Sequence, residues 1–365
     1  MTKVLAAVMA GGGAAVHVRE FDEPALEPDS ALLQVELSEV CGTDVALRQG
    51  LLDGVPYPII PGHVSVGRLQ RIRGRLVDVE GNVLAEGDRV TFLDVHRTCN
   101  ACWYCLVAKA TTRCPKRKVY GITYGVADGL TGGWSQKIYL KPDTRCIRLD
   151  GVDPERFIAG GCALPTALHA VERAEIALGD TVLVLGSGPV GLSAVILARM
   201  RGALRVLSIG APQARLDNAL LVGAAAVLNF EEHSPEQQRQ WVLDLTSGRG
   251  ADVTLEATNS AEAVVQAMRL TRDAGRVVIV GQYTDHGSVS FNPHQDLNRK
   301  HLDVRGLWGS DFSHFYRAAQ LLADSQRSLP WSQIETSRYG LNDADRAVDD
   351  VRDGRVVKAV IDPTV

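Results

Sequence analysis

Hydrophobic and polar positions along this chain fall into two regimes. Up to about residue 160 the apolar residues come in short alternating runs: Ala31-Leu32-Leu33-Gln34-Val35-Glu36-Leu37, Val64-Ser65-Val66-Gly67-Arg68-Leu69 and Asp88-Arg89-Val90-Thr91-Phe92. Turn signals such as Glu80-Gly81-Asn82 and Glu86-Gly87-Asp88 separate them, which predicts an antiparallel, mostly β domain. From about Pro165 to Arg305 the pattern changes to apolar runs that alternate with helical stretches. The runs are Thr181–Leu185, Arg205–Ile209, Ala224–Leu228, Ala251–Glu256 and Arg276–Gly281. Strands separated by helices imply right-handed crossovers and a parallel, doubly wound sheet. The opening run from Met1 to Ala10 carries one cation and stops at Gly11-Gly12-Gly13, which predicts a first β-hairpin rather than a signal peptide.

The sharpest local signal is Thr181-Val182-Leu183-Val184-Leu185-Gly186-Ser187-Gly188-Pro189-Val190-Gly191, followed by Leu192-Ser193-Ala194-Val195-Ile196-Leu197-Ala198. A buried strand breaks into glycines and restarts as a helix, which is the context that a G-x-G-x-x-G motif needs to read as dinucleotide binding. Gly186 then serves the tight turn, Gly188 the approach of a pyrophosphate, and Gly191 the close packing of helix on strand. Free N–H groups at the helix start face the anion. A glycine-rich turn of some other α/β protein is the plainer alternative.

Composition permits this and removes other classes. A chain of 365 residues is longer than one core usually holds, so two domains are expected. A net charge of −4 and a pI near 6.2 leave no electrostatic footprint for nucleic acid or an anionic membrane. No apolar stretch approaches bilayer-spanning length. The expectation is a soluble, cytoplasmic protein, so its seven cysteines call for an explanation other than disulfides.

Four of the seven, Cys99, Cys102, Cys105 and Cys114, form C-x2-C-x2-C-x8-C. Four thiolates at that spacing can close a tetrahedral shell, as structural zinc requires. An iron–sulfur cluster uses similar ligands. A redox dithiol needs fewer cysteines, and a zinc knuckle for nucleic acid lacks its basic surround. Elsewhere Cys41 and His63 with Cys162 come from three separate segments; a thiolate, an imidazole and a second thiolate make the three-ligand set of a catalytic zinc. Spacing alone does not bring them together, and each taken singly reads as an ordinary buried residue. Cys146, in the strand-like Thr144-Arg145-Cys146-Ile147-Arg148-Leu149, reads as core.

Cys41-Gly42-Thr43-Asp44, Gly62-His63, the four-cysteine lobe, Cys162 and Gly186-Ser187-Gly188-Pro189-Val190-Gly191 occur in the order of the zinc-containing medium-chain dehydrogenase/reductase family, the alcohol dehydrogenase superfamily. The chain resembles that family from its first hairpin to its last strand. The resemblance implies an α/β protein with a mostly β, GroES-like catalytic domain over residues 1–163, its structural-zinc lobe at about 95–120. A Rossmann domain then spans 164–306, and 307–365 return to the first domain, with Val356–Ile361 as the closing strand. It implies two zincs per chain: Cys41, His63 and Cys162 on the catalytic one, and Cys99, Cys102, Cys105 and Cys114 on the structural one. Cys162 is placed by counting back from Ala167-Leu168-His169-Ala170. Thr43 would take the alcohol proton, Asp44 would accept from the far ring nitrogen of His63, and Thr166 would contact the nicotinamide. Trp308 and Phe312 face the substrate or lie in the core. A sheet edge at Val277–Val280 would pair subunits into a homodimer or homotetramer.

Three departures stand out. Relatives usually read Gly-His-Glu, but Val64 follows His63 here, and valine has no atom to approach a metal. The lobe carries one more residue before Cys114 than is common, and Ala46 occupies a position where alcohol dehydrogenases often place histidine. Cofactor choice is open between NAD and NADP. The strand end that carries an acidic ribose ligand in NAD enzymes reads Gly210 here, and Arg215 or Arg205 could offer charge to a 2′-phosphate. The implied reaction is hydride transfer between an alcohol, or the corresponding carbonyl compound, and NAD(P), with zinc as Lewis acid. Reduction of a conjugated C=C bond and a non-catalytic zinc-stabilised redox sensor are the alternatives.

Overall fold

The computed structural model describes residues 2–324 and 330–365. The chain divides into two compact units: Met1–Cys162 with Asp311–Ser328 and Glu335–Val365, and Ala163–Ser310 with Leu329–Ile334. Each is taken by itself.

In the first unit, the apolar opening run forms the strand Lys3–Met9, antiparallel to Val16–Asp22, so the expected hairpin is present. The organising element is the 11-residue strand Ser30–Val40. Its alternation sorts side chains to two cores. Ala31, Leu33 and Val35 pack with Val90, Phe92, Tyr120 and Ile138, whereas Leu32 and Val40 pack with Val4, Val8, Ile59 and Trp134. A strand buried on both faces has to be mostly apolar throughout, which is what Ala31-Leu32-Leu33 reflects. Ser65–Arg73 pairs antiparallel along one side, and Lys137–Leu140 and Lys358–Ile361 share the other. Arg89–Phe92, Cys146–Arg148 and Thr336–Tyr339 complete a seven-stranded sheet. The four-cysteine lobe loops out of a small antiparallel pair, Val95–Arg97 with Lys118–Val119.

The second unit is a six-stranded, wholly parallel sheet. Its order runs Ala226–Asn229, Arg205–Gly210, Thr181–Leu185, Ala251–Glu256, Thr271–Ile279, Asp303–Gly306. Strand order therefore reverses beside Thr181–Leu185, the switch point outside whose carboxyl ends dinucleotides bind. The helix Ala163–Ala174 packs on Pro189–Arg201, and residues 307–310 cluster with this unit rather than with the return segment. One expectation is corrected: Val277–Val280 is no sheet edge, because Asp303–Gly306 pairs beyond Thr271–Ile279. The true edge is four residues long, and its Asp303 and Arg305 join Arg276 and Glu175 in ion pairs, charges that discourage edge-to-edge association. Among the described residues no helix is long and apolar enough to cross a membrane.

The motif glycines differ in what constrains them. A Cβ on Gly191 would lie 1.9 Å from the Gly186 carbonyl oxygen, whereas one on Gly188 would meet nothing within 4 Å. Gly191→Ala is therefore expected to cost about 1–3 kcal/mol of stability through forced backbone movement, and Gly188→Ala less than about 0.5 kcal/mol, the range of surface changes. Urea denaturation of both variants followed by circular dichroism checks this ordering.

Candidate active site and metal centres

Cys41 ends the central strand and begins a helix. It is the N-cap of Gly42–Gln49, and its Sγ accepts the Thr43 N–H at 3.4 Å. A sulfur at a helix N-terminus sits among free N–H groups and the positive end of the helix dipole, which favours the thiolate, the form that ligates metals. His63 arrives from the segment preceding Ser65–Arg73, and its Nε2 lies 3.8 Å from Cys41 Sγ. Cys162 comes from the turn after the helix Pro154–Gly160. One ligand atom from each of the three lies within 4.8 Å of the others, and among the described residues no fourth donor joins the set. Zinc bonds of about 2.0–2.3 Å to nitrogen and sulfur imply tetrahedral edges of about 3.6–3.8 Å, so the donors and their spacing fit zinc with one open position.

The hydrogen bond from Cys162 and the charge of His63 hold the Cys41 thiol well below the usual range, against the opposing effect of burial. The same sulfur–sulfur contact, with burial, pushes Cys162 well up. Burial favours neutral His63, but the charge and hydrogen bond of Cys41 outweigh it and raise the imidazole to about 10. Asp44 differs from expectation. Its Oδ2 accepts the Cys41 N–H at 2.8 Å as half of a capping box, while its Oδ1 and His63 Nδ1 have no hydrogen-bond partner among the described residues. The third helical position points the carboxylate back at the cap, so the Asp44–His63 bond implied by the resemblance is not made. Burial pushes the Asp44 carboxyl well up.

Two residues were missed by the sequence reading. Glu39 and Lys358 are each 1% exposed and form an ion pair beside the ligands. Glu39 Oε2 accepts the Cys162 N–H at 2.7 Å, and Oε1 accepts from Cys162 Sγ at 3.5 Å. A carboxylate thus stands by the site although Val64 follows His63. The available signal was Lys358 standing alone in the apolar run Val356–Ile361, since a charge enters such a run only with a partner; Glu39 shares its strand with Gln34, Glu36 and Ser38 and gave none. Val64 and Ala46 are themselves buried and apolar.

The lobe brings Cys99, Cys102, Cys105 and Cys114 together within 4.8 Å, with Cys102 Sγ 3.6 Å from Cys105 Sγ. Tetrahedral zinc–thiolate shells have sulfur–sulfur edges of about 3.8 Å, so this set fits a closed, structural site. Hydrogen bonding from the Ala101 N–H draws Cys99 down to about 6, and desolvation pushes Cys105 up to about 11. Cys146 is apart from both groups, buried in its strand and pushed up to about 12 by burial.

At the nucleotide motif, Gly188 caps the helix Pro189–Arg201, with Pro189 and Val190 in its first turn and Gly191 against Gly186. Gly210 ends its strand, and a Cβ there would fall 2.4 Å from Ser187 Oγ. Ser187 thus fills the space that a side chain at 210 would need, which explains the missing acid. Arg215 lies partly buried in the next helix, Gln213–Leu221, with its pKa lowered by burial. Arg205 is excluded as a 2′-phosphate ligand: it starts the strand that Gly210 ends, about 17 Å away at strand rise, and it donates to the Leu245 carbonyl. Thr166 sits in the first turn of Ala163–Ala174. Trp308 donates its Nε1–H to the Tyr283 carbonyl, and Phe312 lies half-buried beside Tyr316. Unforeseen, the buried Glu256 accepts the N–H and hydroxyl of Thr258 and the N–H of Gly281, knitting two loops at the carboxyl ends of neighbouring strands.

Comparison with known proteins agrees with this geometry. Residues 27–151 match the alcohol dehydrogenase GroES-like domain, and residues 189–324 match the zinc-binding dehydrogenase domain. The chain is 33% identical to 5-exo-hydroxycamphor dehydrogenase of Pseudomonas putida over 96% of both chains. It is 29% identical to erythritol/L-threitol dehydrogenase of Mycolicibacterium smegmatis over 96% of this chain and 94% of that one. An alcohol dehydrogenase structure from Thermotoga maritima superposes with a TM-score of 0.92 at 32% identity, covering 99% of each chain. A zinc-binding dehydrogenase from Sinorhizobium meliloti 1021, solved bound to NADP, superposes with a TM-score of 0.84 at 26% identity over 100% of both. Two domain matches and 33% identity across nearly the whole of both chains together mean that the chain belongs to the zinc-containing medium-chain dehydrogenase/reductase family, the alcohol dehydrogenase superfamily.

Proposed function

We propose that this protein is a zinc-dependent oxidoreductase that interconverts an alcohol and its carbonyl counterpart with NAD or NADP. The observation that carries the reading is the meeting of Cys41, His63 and Cys162 within 4.8 Å with no fourth protein donor among the described residues. Zinc held there would supply Lewis acidity toward a hydroxyl or carbonyl oxygen, and the dinucleotide would accept or donate the hydride. The remaining work falls to the chain. Thr43, partly exposed in the helix turn that starts at Cys41, offers the hydroxyl that relays the proton. Open space at Gly188 and the free N–H groups of Pro189–Arg201 suit a pyrophosphate. Thr166 is assigned to the nicotinamide, and the strand end at Gly210, lacking a carboxylate, tolerates a 2′-phosphate near Arg215.

Relatives with names such as hydroxycamphor, erythritol, L-threonine and sorbitol dehydrogenase share a CH–OH group rather than one skeleton. The substrate is accordingly a small alcohol or ketone. The same reading assigns two zincs per chain, domain boundaries near residues 163 and 310, a cytoplasmic location, and a homodimer or homotetramer.

A panel of primary, secondary and polyol substrates with both nucleotides, followed at the reduced nicotinamide absorbance, tests the activity. Turnover of enones alone would instead favour C=C reduction, and no turnover would favour a sensor. Metal analysis should give two zincs per chain, and Cys162→Ser one zinc and no turnover. Equal zinc in both proteins would overturn the assigned ligand set. Thr43→Ala is expected to lower kcat by about 10²–10⁴, the usual contribution of a positioned proton carrier, with Thr43→Ser retaining most of it. Arg215→Ala should lower kcat/KM with NADP and leave that with NAD within about twofold; equal losses would remove Arg215 from the cofactor site.

A further inference from the structure

Glu39 accounts for more of the open site than a core ion pair would. Its carboxylate presses on the turn that carries the third metal ligand. A Cβ on Gly161 would come within 2.4 Å of Glu39 Oε2, and Gly161 holds a φ of +44°. The next residue, Cys162, donates its N–H to that oxygen at 2.7 Å. The turn is therefore shaped around the carboxylate, with glycine as the residue that leaves room for it. Behind Glu39, Lys358 delivers its ammonium from the closing strand, and both side chains are 1% exposed. Glu39 is not itself among the three clustered donors, so it acts on the metal site through Cys162.

The charge count makes Lys358 necessary. Two thiolates and a divalent cation are neutral together. A third buried anion 3.5 Å from a ligand sulfur would leave an uncompensated charge, which Lys358 cancels. A layer of hydrogen bonds behind metal ligands commonly fixes their orientation and sets metal affinity.

We propose that Glu39, held by Lys358, is the positioning residue that presents Cys162 to the metal and sets how long the three-ligand site retains it. The proposal rests on the reading of Cys41, His63 and Cys162 as a metal site, and the test separates the two. Zinc release from the holoenzyme to a chromophoric chelator is followed by absorbance, with the four-cysteine zinc as the internal reference. Glu39→Ala is expected to release the three-ligand zinc about 10–100-fold faster, with the reference unchanged. Glu39→Gln, whose amide oxygen still accepts the Cys162 N–H, should stay within about threefold of wild type.

Because Glu39→Ala and Glu39→Gln both leave Lys358 without its anion, the two differ in the bond to the Cys162 N–H, and the double variant Glu39→Met with Lys358→Met, which removes both charges and that bond, should also release quickly. Cobalt(II) substitution supplies a second readout. The thiolate-to-cobalt absorption should shift in Glu39→Ala and in the double variant but not in Glu39→Gln. A folded Glu39→Ala protein with wild-type release and an unshifted band would overturn the proposal, as would Glu39→Gln releasing as fast as Glu39→Ala. If wild type and Cys162→Ser carry equal zinc, the metal-site reading itself fails instead.

Discussion

The register of the strand Ser30–Val40 is the constraint on which the meeting of Cys41, His63 and Cys162 depends. On one side the Glu39 N–H bonds the Val64 carbonyl at 2.9 Å, which brings the segment bearing His63 alongside. On the other, Glu39 lies opposite Val360 and Val40 opposite Ala359, so Lys358 comes next to the strand end that leads into Cys41. A slip of one residue would send Glu39 to the opposite face and carry Cys41 out of line with the segment bearing His63. The register is firmly held because the strand is buried on both faces, with different side chains committed to each core.

That constraint explains why the protein tolerates a charged pair in its interior. Burying Glu39 and Lys358 together costs desolvation that their attraction only partly offsets, and removing one partner alone typically costs about 3–5 kcal/mol. A pair of apolar residues would fill the space at less cost, but neither would bond the Cys162 N–H. The ion pairs around Arg305, Arg276, Glu175 and Asp303 contrast with it. Glu175 and Asp303 are 58% and 42% exposed, so solvent screens them and their contribution is small. Their value lies in charging a short sheet edge.

The two ligand sets also differ in how the chain assembles them. The lobe draws four sulfurs from one loop between two short strands, and any metal it binds closes that loop. The open set draws on a strand end, the residue before a strand and a turn after a helix, each placed by a separate packing decision. Closure by four donors leaves no position for chemistry, whereas three donors leave one.

How much could be read from the sequence follows from the range of each interaction. The two sheet types, the first hairpin, the strand–glycine–helix turn and the C-x2-C-x2-C-x8-C lobe depend on neighbours within a few residues, so periodicity and spacing reveal them. Cys41, His63 and Cys162 became a set only through resemblance, because nothing local ties residues so far apart. Other features were invisible for the same reason. Asp44 spends an oxygen on the helix cap, Ser187 occupies the space a side chain at 210 would need, and Asp303–Gly306 covers Thr271–Ile279 as the outer strand. Glu39 meets Cys162 across 123 positions and Lys358 across 319. Local pattern alone settled which segments are strands, helices and metal loops, because backbone preference and side-chain period act over a few residues. Which buried charges meet, and that their carboxylate bonds the turn carrying Cys162, was decided only when distant strands paired, because hydrogen bonds and ion pairs act through space and not along the chain.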